Sequence, residues 1–65
     1  MQKVELTVEK SNDRIWGRVI YNDNLIIDEA TNLYDLQLKI KTLLFNVEGV
    51  DPKSVTFDLK YDIPQ

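Results

Sequence analysis

The sequence predicts a small α+β domain whose four strands and single helix run in the order β-β-β-α-β. Three features lead there. Residues 3–9 alternate strictly between polar and apolar side chains. Two clusters of turn-forming residues, Ser11-Asn12-Asp13 and Asn22-Asp23-Asn24, cut the first half into short segments. Apolar residues then recur at helical spacing from Asn32 to a stop at Gly49.

In the first segment Val4, Leu6 and Val8 share one face, and Lys3, Glu5, Thr7 and Glu9 the other, as in a half-buried strand. The second strand spans residues 14–21. Its inward face is assigned to Ile15, Gly17, Val19 and Tyr21, because the opposite choice would bury Arg18. A short third strand is expected at Leu25-Ile26-Ile27, with Ile27 inward and Ile26 outward.

The helix is expected over residues 32–48. Thr31 or Asn32 serves as N-cap, and Asp35 stands where a capping-box acid belongs. Asp35 and Lys39 form an i,i+4 pair in the favourable orientation. At about 100° per residue, Leu33, Leu36, Ile40, Leu43, Leu44 and Val47 make the core stripe. Gly49 ends the helix, and Asp51-Pro52 prevents it from resuming.

A last strand at residues 54–61 turns Val55, Phe57, Leu59 and Tyr61 one way and Thr56, Asp58 and Lys60 the other. Three strands joined by tight turns form an antiparallel meander. A right-handed crossover through the helix then sets the fourth strand parallel beside the first. The expectation is a four-stranded mixed sheet of order 3-2-1-4 with the helix on one face. Val4, Leu6, Val8, Ile15, Val19, Ile27, Leu36, Ile40, Leu43, Phe57 and Leu59 form its core.

Sixty-five residues make one domain, with a core that is small for its surface. Such domains are commonly reinforced by disulfides, metals or association. The chain has no Cys and no His, so disulfides and the usual zinc ligand sets are ruled out, and self-association or a partner surface remains. A homodimer at micromolar concentration is expected. The net charge of −3, from eleven acids and eight bases, argues against a general nucleic-acid grip and permits attraction to a basic partner. No apolar run is long enough to span a bilayer, and the opening residues do not read as a signal peptide. A cytoplasmic location is therefore expected.

Catalytic chemistry is thinly represented. Without His, Cys or a Gly-rich phosphate loop, only carboxylates remain, and no cofactor or metal is expected. Glu5, Glu9 and Asp58 fall on the polar sheet face, whereas Asp35 belongs to the helix, so a converging metal cluster is not expected. Two surfaces instead suggest binding. Trp16, Arg18 and Ile20 lie on the uncovered sheet face, where the plainer alternative is cross-strand packing. Tyr34, Leu38 and Phe45 form a second helical stripe, where the plainer alternative is contact with the rim of the same monomer.

The pattern resembles the HicB-like antitoxins of bacterial toxin–antitoxin systems, a family with a degraded RNase H-like fold. Three segments carry the likeness. The first is the opening hairpin, Val4-Glu5-Leu6-Thr7-Val8-Glu9-Lys10 leading to Ile15-Trp16-Gly17. The second is Thr31 entering a helix with Leu36, Ile40, Leu43 and Leu44. The third is the closing Val55-Thr56-Phe57-Asp58-Leu59-Lys60-Tyr61-Asp62-Ile63.

Family members typically carry Pro-Gly between strands two and three and Gly-Asp before the helix Thr. Here Asn22-Asp23-Asn24 and Glu29-Ala30 stand in those places, and a helix-turn-helix after Gln65 is not expected. The resemblance implies a non-enzymatic module that neutralises a small basic RNA-cleaving toxin, without direct operator binding and without RNase H chemistry. The alternative is a stand-alone homo-oligomeric domain with a structural or small-ligand role. A neighbouring gene for a small basic ribonuclease would separate the two.

Overall fold

In a computed structural model, residues 2–62 are described. They form β1 (Gln2–Ser11), β2 (Arg14–Tyr21), β3 (Asn24–Ala30), α1 (Leu33–Glu48), a 3-10 turn (Pro52–Ser54) and β4 (Val55–Tyr61). The sheet has the order β3-β2-β1-β4. β1–β2 and β2–β3 are antiparallel, and β4 lies parallel to β1. The mixed sheet expected from the sequence is therefore the one observed. Ile63, in the closing segment of the resemblance, lies outside the described residues.

Both hairpin turns follow from residues that tolerate positive φ. Asn12 has φ 57° between the paired Ser11 and Arg14. Asn22 and Asp23, at 50° and 64°, sit between the paired Tyr21 and Asn24. Two successive positive values are the mark of a type I′ turn, whose twist matches that of the flanking strands.

That two-residue turn sets the register of β3 and corrects one expectation. Asn24 is already in the strand, paired with Tyr21, so Ile26 stands beside Val19 and faces the helix. Ile26 is 6% exposed and Ile27 is 46% exposed. The expected faces of Ile26 and Ile27 are thus exchanged, because Asn24 belongs to the strand and not to the turn. A shift of one residue moves every side chain of a strand to the opposite face.

Asn32 caps α1. Its Oδ1 accepts from the Asp35 N–H at 2.8 Å, and its amide nitrogen donates to Asp35 Oδ2 at 3.0 Å. The Asp35 carboxylate is thus occupied at the cap. Lys39 does not make the expected pair with it; its Nζ donates to the Glu29 carbonyl oxygen at 2.9 Å. At the other end Gly49, at φ 70°, turns the chain. Its N–H reaches the Phe45 carbonyl at 3.0 Å, and the Val50 N–H reaches that of Leu44 at 3.2 Å. Two of the last helical carbonyls are thereby satisfied. Asp51 accepts from the Lys53 N–H at 2.9 Å and starts the 3-10 turn, which the sequence reading did not anticipate.

The helix packs mainly over β2 and β3. Leu36, Ile40 and Leu44 are its buried residues, one helical turn apart, and they meet Val4, Leu6, Val8, Val19, Ile26 and Ala30 of the sheet. Val50 and Val55 close one end. Ile15, Tyr21, Leu33, Leu43, Phe57 and Leu59 pack around this core half-buried. Val47, assigned to the core stripe, is instead 59% exposed, and Tyr61 is exposed at the end of β4.

Gly17 brings helix and sheet together. A Cβ there would lie 3.0 Å from both Leu6 Cδ1 and Leu36 Cδ2. Its missing side chain therefore lets those two leucines meet over β2. No buried side chain in the described residues is polar, and no helix among them is long and apolar enough to cross a membrane.

Candidate functional site

With α1 on one face, the other face of the sheet is open, and strand alternation decides what it displays. β2 contributes Trp16, Arg18 and Ile20. The register then sets Arg18 opposite Ile27 and Ile20 opposite Leu25. Trp16, Ile20, Leu25 and Ile27 are all exposed. Directly opposed and diagonal side chains on one sheet face are near neighbours. These four accordingly form one apolar cluster around the Arg18 stem. Arg18 itself leans toward β1 and the end of β4, its Nη2 lying 3.8 Å from Glu9 Oε1 and 3.6 Å from Asp62 Oδ2.

The other half of the face, on β1 and β4, is charged. Glu5 is the register partner of Asp58, and Asp58 lies 3.9 Å from the Lys60 ammonium. Thr7 stands between Arg18 on β2 and Lys60 on β4. Where the two halves join, Glu5, Thr7, Arg18, Ile20 and Leu25 line a shallow depression. Beyond Trp16, Arg14 Nη1 pairs with Glu29 Oε1 at 3.2 Å. The face is an apolar field on β2 and β3 bordered by exposed ions, the pattern of an interface centre with a polar rim.

Six residues were expected to bind a partner. The fold divides them. Trp16, Arg18 and Ile20 stand together on the open sheet face. Tyr34, Leu38 and Phe45 are exposed on α1, off the face that buries Leu36, Ile40 and Leu44, with Leu38 on the flank beside Asp28 and Ala30 of β3. Leu38 sits above the start of the helix region, near Arg14, Ala30 and Asp35, and its neighbours leave it about half exposed.

The sequence reading missed Leu25 and Ile27 as members of the open face. The available signal was the pair of left-handed-tolerant residues Asn22-Asp23. A two-residue turn there makes Leu25 the neighbour of Ile20, and hence outward. Compared with known proteins, the chain matches no family model, no curated protein and no solved structure.

The carboxylates do not gather. Glu5 and Asp58 adjoin on the open face, while Asp35 is held by Asn32 at the start of α1. Among the described residues no three metal-ligating side chains come together. A smaller apolar recess, lined by Val8, Lys10, Ile15 and Tyr61, opens at the end of β1 and β2 on the helix side. Val8 belongs to the core and Ile15 packs against it, whereas Lys10 and Tyr61 are exposed.

Proposed function

We propose that this chain is a non-enzymatic protein-binding module that receives its partner on the open sheet face, in the manner of an antitoxin neutralising a small basic RNA-cleaving toxin. The observation that carries the reading is the cluster of Trp16, Ile20, Leu25 and Ile27 around Arg18, exposed on rigid strands. Aromatic and Arg side chains at the centre of an apolar patch are the usual sources of interface energy. The partner class comes from the sequence resemblance and from charge. A chain of net −3 is attracted to the Lys- and Arg-rich surface with which a protein grips RNA. The exposed ion pairs of the rim contribute little to affinity, so the apolar anchors supply most of it.

Co-expression with the product of the adjacent gene, followed by pull-down and a growth-rescue assay, tests the reading. A stable complex and relief of toxicity are expected. Ile20→Glu places a charge in the middle of the cluster at a residue 75% exposed, so the fold is retained and the complex is lost. Tyr34→Glu, on the helix side of the domain, leaves it intact. Higher salt slows association more than it speeds dissociation. Recovery of no complex and no rescue would count against the proposal.

A further inference from the structure

β3 is an edge of the sheet, with β2 on one side and, among the described residues, no strand on the other. The turn geometry decides which of its backbone groups point outward. A two-residue turn with φ 50° and 64° closes on Tyr21 and Asn24 as a hydrogen-bonded pair. Antiparallel pairs alternate, so Val19–Ile26, Gly17–Asp28 and Ile15–Ala30 are bonded too. The N–H and C=O groups of Leu25, Ile27 and Glu29 therefore face away from β2.

Those at Glu29 are occupied. Its N–H donates to Asp28 Oδ1 at 2.7 Å, and its carbonyl accepts from Lys39 Nζ at 2.9 Å. At the other end the side chain of Asn24 is held by Glu48 at 2.6 Å. What stays open is a short window, the outward donor and acceptor of Leu25 and of Ile27. An exposed edge of this kind is a template for another strand.

We propose that a second copy of this chain fills the window, β3 pairing antiparallel with its counterpart about a twofold axis through Ile26. The window is complementary to itself in that register. Leu25 of each copy faces Ile27 of the other, and the open donors and acceptors satisfy one another without displacing Lys39 or Asp28. The same register sets Asp23, at the tip of the β2–β3 turn, opposite Glu29 of the other copy, where the Lys39 ammonium already lies. Asp23 and Glu29 are both acids, and the bases at each end are Lys39 at the Glu29 carbonyl and Arg14 at the Glu29 carboxylate. On the open face, Leu25 and Ile27 become cross-strand neighbours of their counterparts, and the two apolar clusters merge across a continuous eight-stranded sheet. The pairing uses backbone groups at the sheet edge and needs no foreign partner.

Sedimentation equilibrium from micromolar to millimolar concentration, combined with amide hydrogen exchange on the same samples, tests the proposal. The expected result is a dimer in which the Leu25 and Ile27 amides become protected as concentration rises, while the Ile26 amide is slow throughout. A chemically synthesised chain with an N-methyl group on Ile27 keeps the side chain and every bond to β2. It loses one intermolecular donor per copy, and its dimer dissociation constant should rise about a hundredfold, about tenfold for each bond. Tyr34→Glu, at a residue 70% exposed on α1 and off the β3 flank, should leave the constant unchanged. A chain that stays monomeric at millimolar concentration would overturn the proposal. So would a dimer in which the Leu25 and Ile27 amides exchange as fast as in the monomer, or one that Tyr34→Glu dissociates and N-methylation does not.

Discussion

Ile40 and Val47 occupy the same side of α1 by helical spacing, yet the fold treats them differently, and alanine at each position measures that difference. Ile40 is 0% exposed at the middle of the helix. Ile40→Ala removes three carbons. At about 0.8 kcal/mol each the transfer loss is about 2.4 kcal/mol. The cavity left between Leu36, Leu44 and the sheet raises the total to about 3–4 kcal/mol, inside the usual span for such changes. A domain of this length has roughly 3–10 kcal/mol of stability in all. The midpoint of thermal unfolding should fall by roughly 12–30 °C. Val47→Ala, at a position 59% exposed, should stay within about 0.5 kcal/mol of the parent. Urea unfolding followed by far-ultraviolet circular dichroism gives both numbers. Equal losses in the two variants, or a loss below about 1 kcal/mol for Ile40→Ala, would refute the helix register described above.

Gly17→Val would push two methyl groups toward Leu6 and Leu36, which cannot move without disturbing the core; a loss of about 1–3 kcal/mol is expected in the same assay, and a neutral result would mean that helix and sheet separate freely there. Gly49→Ala meets nothing within 4 Å, so its cost is conformational alone, about 1 kcal/mol for a left-handed residue; no change would show that the helix ends elsewhere. The purified chain should not cleave RNA or DNA with added magnesium or manganese, because two-metal cleavage needs converging carboxylates and Asp35 is held away from Glu5 and Asp58. Divalent-dependent cleavage abolished by Asp58→Asn would overturn that statement.

The fold was legible wherever local chemistry had a single solution. The alternation of Val4, Leu6 and Val8 admits one inward face, and Arg18 forces the face of β2. Asn32 and Gly49 mark the helix ends through their own backbone preferences. The errors fell where geometry is settled between elements. The register of β3 depends on whether the turn takes two residues or three, and composition alone does not separate Asn22-Asp23 from Asn22-Asp23-Asn24. Val47 shares the angular position of the core stripe, but residues on the last turn of a helix are buried only where the sheet still runs beneath them. Lys39 has two suitable acceptors, and the cap at Asn32 had already taken the Asp35 carboxylate. Of the open face, Trp16, Arg18 and Ile20 followed from β2 alone, whereas Leu25 and Ile27 required the register.

The parallel pairing of β1 with β4 has a mechanical consequence. Gln2 stands beside Val55 and Val8 beside Tyr61, so the chain enters this pair at one end and leaves it at the other. Tension delivered through the flanking chain pulls the two strands past each other along their length. Their inter-strand bonds are then loaded together instead of being peeled apart one at a time. Stretched by its ends, the domain should hold until the whole β1–β4 ladder shears at once. In a single-molecule pulling experiment it should yield in one sharp event, while tension applied across the β2–β3 hairpin should unzip it gradually at lower force.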